Sequence, residues 1–122
     1  MARVLVVDDE PLVRRTLKLM LERAGHQVEE AEDGDQAWEV FSAARPDLVL
    51  IDIIMPNREG VETIAELRQL DRNVPIIAMS GGGQVDGGLF LDLAKKLGAS
   101  RTLRKPMRSA QLLAAVDECL GS

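Results

Sequence analysis

Four places in the 122-residue chain set a chemically capable side chain directly behind a run of aliphatic residues. Asp8-Asp9-Glu10 follows Val4-Leu5-Val6-Val7, and Asp52 follows Leu48-Val49-Leu50-Ile51. Ser80 follows Ile76-Ile77-Ala78-Met79, and Lys105-Pro106 follows the short segment 100–103. An ionised carboxylate beside a buried run is costly unless something pairs with it. Carboxylates gathered in one place also repel one another and need compensation. A hard divalent cation such as Mg²⁺ supplies it, because it takes carboxylate oxygens and keeps water in its other positions. Lys105 would add a second positive charge and Ser80 a hydroxyl. That set suits a phosphoryl group, whose oxygens the metal and the ammonium neutralise while a carboxylate acts as nucleophile. One acid alone is explained as a solvated strand end or a helix cap. The coincidence at four strand ends is not.

The elements between these residues predict how they meet. After Asp8-Asp9-Glu10, Pro11 sits where a first helical turn tolerates it. Val13, Leu17, Met20, Leu21 and Ala24 then share one helix face, and Gly25 is a stop. Residues 27–31 are short and polar, as in an edge strand. Asp33-Gly34 marks a turn, and Ala37, Val40, Phe41 and Ala44 mark a second helix that ends before Pro46. A third helix begins at Val61 and closes near 71–73. Gly81-Gly82-Gly83 opens a loop to Gly88, and a fourth helix from Leu89 is capped by Gly98. A short strand over 100–103 and a last helix from Arg108 or Ser109 complete five alternations. Strand and helix in such alternation imply βαβ units and a parallel sheet covered on both faces. In an open parallel sheet, functional groups gather outside the carboxyl ends of the strands. The pattern thus brings Asp8, Asp9, Asp52, Ser80 and Lys105 to one edge.

Composition narrows the function classes. The length fits one domain, 1–122, with a single core. A net charge of −5 argues against direct nucleic-acid binding. The single cysteine, Cys119, excludes an internal disulfide and suits a reducing cytoplasm. The apolar run after Arg3 is too short for a signal peptide, and no stretch approaches a membrane span. The expectation is a soluble cytoplasmic protein with no membrane partner.

The residues together resemble the response-regulator receiver domain, the CheY-like, flavodoxin-like fold of two-component phosphorelay signalling. The likeness rests on Val6-Val7-Asp8-Asp9-Glu10, Ala31-Glu32-Asp33-Gly34 with Ala37, Asp52-Ile53-Ile54-Met55-Pro56 with Gly60, Ser80, Gly98-Ala99 and Lys105-Pro106. It spans Arg3 to Leu120. The resemblance, not the residue pattern, gives the strand order 2-1-3-4-5. It implies that Asp52 accepts a phosphoryl group from a histidine kinase or histidine phosphotransfer protein and becomes an aspartyl phosphate. Asp9 and Asp52 would bind Mg²⁺ directly, with the backbone carbonyl of Ile54, and Asp8 through a water. Lys105 would pair with the phosphoryl group, Ser80 would hydrogen-bond it and switch, and a cis bond would precede Pro106. The domain would be a phosphoacceptor rather than an enzyme, a monomer or weak dimer. It would act on a downstream protein target or a missing output domain, through a face over about 89–120.

The chain departs from that family at the switch. The position that normally holds an aromatic ring is Thr102, and the chain has no tyrosine. Reordering of 81–88 and the start of the fourth helix is the expected substitute. Ile54 and Gly82 occupy positions that flank the hydrolytic water, and neither side chain can orient it, so rapid self-hydrolysis is not expected. A phosphatase of the haloacid dehalogenase type would need a second Asp at position 54, where Ile54 stands. A receiver-like binder that is never phosphorylated is opposed by the complete set Asp8, Asp9, Asp52, Ser80 and Lys105. Elsewhere, His26 reads as a surface residue at a helix end, Cys119 as a structural thiol and Trp38 as partly buried packing. Arg14-Arg15, Arg101 and Arg104 read as solvated faces. The glycine run lacks the Gly-Lys-Ser/Thr of a nucleotide loop.

Overall fold

The apolar runs are strands, and they lie parallel. The computed structural model describes residues 2–53, 60–81 and 87–121, and of 87–91 the backbone alone. Five strands alternate with five helices: β1 (Arg3–Val7), α1 (Pro11–Arg23), β2 (Gln27–Ala31), α2 (Gly34–Ala43), β3 (Leu48–Asp52), α3 (Gly60–Leu70), β4 (Ile76–Ser80), α4 (Gly87–Leu97), β5 (Arg101–Arg104) and α5 (Ser109–Leu120). The sheet order is β2-β1-β3-β4-β5, all pairs parallel.

Because strand side chains alternate between faces, each strand feeds two cores. Leu5, Val7, Val49, Ile51, Ile76 and Ala78 pack with Phe41 of α2, Ile64 and Leu67 of α3 and Ala94 of α4. Val4, Val6, Leu48, Leu50, Ile77 and Met79 pack with Leu17 and Leu21 of α1 and Leu112 and Val116 of α5. β1, β3 and β4 are therefore apolar at nearly every position, as a sheet covered on both faces requires. Local signals set the helix ends. Pro11 opens α1, Asp33 caps α2 by accepting from the Gln36 N–H at 2.8 Å, and Gly121 closes α5 in the left-handed conformation at φ 77°.

Two boundaries differ from the sequence pattern. α4 begins at Gly87 rather than after Gly88, since a first turn supplies carbonyls to the ladder without needing its own N–H groups paired. β5 runs one residue later than 100–103, because Ser100 is spent on the strand's entry. Its N–H donates to the Ile76 carbonyl at 2.7 Å, and its Oγ accepts from the Ile76 N–H at 3.2 Å.

One arginine ties the base of the sheet, at the end away from the polar strand ends. Arg68 of α3 donates to the Gly98 carbonyl from Nε at 2.9 Å and from Nη2 at 2.7 Å. Its Nη1 reaches the Val74 carbonyl at 2.5 Å and the Asp71 carbonyl at 3.3 Å. A β-carbon at Gly98, which has φ +122°, would stand 2.8 Å from the Arg68 side chain, so glycine is needed there twice over. Burial pulls the guanidinium below its ordinary value, against the opposing charge of Asp71. The adjoining turn is held by Asp71 Oδ1, which accepts from Asn73 N–H at 2.8 Å and Val74 N–H at 3.2 Å.

Arg68→Met keeps the aliphatic stem but strands these carbonyls, and should lower stability by about 2 kcal/mol in urea unfolding. A change within about 0.5 kcal/mol would mean that water replaces the guanidinium. The turn has its own pH signature. The Asn73 N–H bond, then Val74 and the neighbouring arginines, hold the Asp71 carboxyl below its ordinary value despite some burial. Its contribution is therefore complete above the unfolded value and lost as pH falls through the folded one. The stability gap between wild type and Asp71→Asn should be flat near neutrality and close only below about pH 4.

Candidate functional site

The sheet register brings the polar strand ends together. Val7 lies opposite Ile51, so Asp8 and Asp52 emerge side by side. Ser80 lies opposite Arg104, and the next residue, Lys105, donates its N–H to the Ser80 carbonyl at 2.7 Å. The Lys105 ammonium then spans both acids, reaching Asp8 Oδ2 at 2.7 Å and Asp52 Oδ2 at 2.9 Å. Asp8 is 0 % and Asp52 4 % exposed, so this is an ion triad largely out of water. Burial alone would pull the Lys105 ammonium down. The hydrogen bonds to Asp8 and Asp52, with their charges, outweigh it and leave the group above its ordinary value.

The other oxygen of Asp8 accepts the Glu10 N–H at 2.9 Å, and the Arg14 guanidinium holds the Asp8 carbonyl at 2.8 Å. Asp9 is half-buried and Glu10 exposed. One oxygen from each of Asp8, Asp9, Glu10 and Asp52 lies within 4.8 Å of the other three. Four carboxylates against one ammonium leave the cluster strongly negative. An all-oxygen set of this kind fits a hard divalent cation and suits Mg²⁺. Glu10 was not singled out as a ligand from its sequence position, although it is the third acid of the same run.

Gly60 is built into the site's wall. Its N–H donates to the Ile53 carbonyl at 2.9 Å. A β-carbon there would fall 2.3 Å from the Asp52 carbonyl oxygen and 2.4 Å from the Ile53 Cα. Only glycine lets α3 start this close to the strand that carries Asp52.

The Ser80 side chain is buried, and its hydroxyl donates to the Gly81 carbonyl at 3.4 Å. The Lys105–Pro106 bond is cis. Thr102 is half-buried and opposite Ala78, hence on the α2–α4 side of the sheet. Ile54 lies outside the described residues, as do Gly82 and the rest of 82–86, so the expected carbonyl ligand and the expected loop reordering fall beyond them.

The comparisons decide the family. The profile of the response regulator receiver domain matches residues 4–117. The chain belongs to the response regulator receiver family. It is similar to the chemotaxis protein CheY of Halobacterium salinarum, with 34% identity over 97% of this chain and 96% of that protein. It is also similar to the sporulation initiation phosphotransferase F of Bacillus subtilis, with 31% identity over 97% of this chain and 93% of that one. Among solved structures, a putative response regulator from Chloroflexus aurantiacus superposes with a TM-score of 0.91 at 27% identity, covering 99% of this chain and 98% of that one. The receiver is thus a signalling phosphoacceptor domain of two-component systems, and its acidic cluster is typical of a receiver Mg²⁺ site.

The remaining candidates lie elsewhere on this receiver. His26 accepts the Ala2 N–H at Nδ1, 3.2 Å away. Cys119 is half-buried, and burial pushes its thiol up against the opposing pull of Arg101. A protonated thiol is a poor nucleophile. Trp38 is more open than a packing residue, at 44% exposed. Among the described residues no helix is long and apolar enough to cross a membrane.

Charge compensation at the triad can be measured. Lys105→Met leaves two buried carboxylates without their cation, and should cost about 3 kcal/mol in metal-free buffer. Mg²⁺ should raise the Tm of wild type and recover part of the mutant's loss. Equal losses with and without Mg²⁺ would separate the ammonium's role from charge balance.

Proposed function

We propose that Asp52 accepts a phosphoryl group from the phosphohistidine of a histidine kinase or histidine phosphotransfer protein, and that the aspartyl phosphate changes which proteins the domain binds. The observation that carries this reading is the triad in which Lys105 spans Asp8 and Asp52 beside the four-carboxylate cluster. Asp52 is the carboxylate delivered by the sheet's central strand, buried except at its tip. In the transfer, an O–P bond forms at Asp52 Oδ while the donor's P–N bond breaks, the electron pair staying on the imidazole nitrogen.

Receiver domains interact with histidine kinases, and the naming of one Bacillus relative as a phosphotransferase supports a relay role. The lone half-buried cysteine suits the reducing cytoplasm where such relays operate.

Asp9 and Asp52 would hold Mg²⁺ directly and Asp8 through a water, with Glu10 in reach of the same position. Bound there, the ion would neutralise phosphoryl oxygens. Lys105, already oriented by Asp8, would turn from Asp52 Oδ2 to the new phosphoryl group. Asp8 then retains the ammonium at the site while Asp52 is modified. The Ser80 hydroxyl, held only at 3.4 Å by Gly81, would move to the phosphoryl group. That movement would be felt at once by β5, whose end is bonded to the Ser80 carbonyl. Thr102 is too short to report the change by a ring swing, so backbone displacement of β4 and β5 would carry the signal.

Incubation with acetyl phosphate and Mg²⁺ should label the protein once, with acid-stable, base-labile phosphate seen by mass spectrometry. Asp52→Asn should abolish the label, and Asp9→Asn should reduce it at least about tenfold. Persistent labelling of Asp52→Asn would move the acceptor elsewhere, and turnover of a phosphate ester would make the domain a phosphatase instead.

A further inference from the structure

The charges of this chain are segregated. Residues 29–66 hold eleven acids and two arginines, whereas residues 93–116 hold six cations and no acid. The two edge strands treat their charges in opposite ways. At the β2 edge, Glu29 pairs with Arg3, and Glu30 pairs with Arg14 at 3.1 Å and Lys18 at 3.5 Å. That edge is charged but neutralised. At the β5 edge, Arg101 turns to the α5 side and pairs with Glu118, and Lys105 is consumed by the triad. Lys95, Lys96, Arg104 and Arg108 are exposed, and no carboxylate among the described residues pairs with them.

Protection of an edge strand from aggregation needs charge, and paired charge serves, as β2 shows. It does not require an uncompensated block of one sign in a protein of net charge −5. Such a block raises the local concentration of an opposite charge and steers its approach. α4 adds apolar surface to it. Leu93 and Leu97, four residues apart on one helix face, are 41% and 37% exposed, while Ala94 takes the buried position.

We propose that the outer surface of α4, the β5 edge and the start of α5 dock an acidic segment of a partner protein, with Lys95, Lys96, Arg104 and Arg108 meeting its carboxylates and the exposed leucines its apolar residues. Exposed apolar anchors beside the cations, together with the negative net charge, favour a protein segment over nucleic acid. The inference rests on the phosphoacceptor reading only for its regulation. Arg104 lies opposite Ser80 and directly before Lys105, so a phosphoryl group at the site moves the residue next to its own ligand. By linkage, whatever binds this strip differently in the two states also shifts the phosphorylation equilibrium.

The test uses the full chain and three fluorescent probes. They are an acidic amphipathic peptide of about sixteen residues with leucines four apart, its sequence with every acid replaced by lysine, and a single-stranded oligonucleotide of similar length. The acidic peptide should bind best, and about tenfold more weakly when salt is raised to several Debye-length equivalents. Lys96→Glu with Arg104→Glu should weaken it at least about tenfold. Arg15→Glu with Arg23→Glu, an equal change of net charge on exposed α1 positions, should leave it within about twofold. Thermal melts establish that both variants fold. Failure of the acidic peptide to bind, an equal loss in the α1 variant, or tighter binding of the oligonucleotide would overturn the proposal. Acetyl phosphate labelling is read separately. A labelled domain that ignores the peptide refutes the docking strip alone, and a peptide-binding domain that takes no label refutes the phosphoacceptor alone.

Discussion

The bridge from the Lys105 ammonium to Asp8 and Asp52 is the constraint on which the rest of the site depends. Two nearly buried carboxylates side by side repel each other, and each has lost most of its hydration. A single ammonium at hydrogen-bond distance from both makes the arrangement tolerable without discharging it. Its neighbours Asp9 and Glu10 keep the cluster negative in sum, so the site retains affinity for additional positive charge. A cation and a phosphoryl group bring complementary charges to such a place, and the fold holds it ready through the strand register rather than through flexible loops.

Positioning comes from backbone more than from side chains. Asp52 ends a strand buried on both faces, and α3 begins against its carbonyl because Gly60 has no β-carbon to collide with it. Ser80 and Lys105 sit at adjacent strand ends joined by a backbone hydrogen bond at 2.7 Å. A small movement of either strand is thereby transmitted to the other. At the far end of the sheet, Arg68 fixes the starts of β4 and β5 by gathering the carbonyls of Val74 and Gly98. One end is held and the other carries the charge, which lets a displacement at the site act on the free ends of the strands.

Much of this was legible in the residues. The four polar strand ends read directly from where apolar runs stop, and the alternation of runs and helical stripes implied the parallel sheet that collects them. The strand order did not follow from the pattern and came through resemblance, because any right-handed βαβ series can be wound more than one way. The Lys105–Asp8 bond was also invisible, since the residues are 97 apart in sequence and residue type alone favoured the phosphoryl group as the lysine's partner. Glu10 was hidden for another reason. An acid at a helix start is so commonly a cap or a dipole partner that its approach to Asp52 needs coordinates. Arg68 looked like one of many surface arginines, and only the left-handed Gly98 beneath it shows that the chain was shaped around the guanidinium.

The two sides of β5 show how the domain divides structure from signal. Leu103 faces the α1–α5 core, and Arg101 reaches Glu118 on the same side, so that side anchors the strand. Thr102 and Arg104 face the other way, paired in register with Ala78 and Ser80. A large ring at position 102 would convert strand movement into a rotamer change, a discrete event with a visible inside and outside. A threonine has no such amplitude. The strand itself must then be what moves, and the side chain that projects farthest from its moving end is Arg104. A charge carried on that end changes position together with the backbone, without any rotamer gate. In this receiver, electrostatics at the sheet edge takes the place that packing of an aromatic ring would otherwise hold.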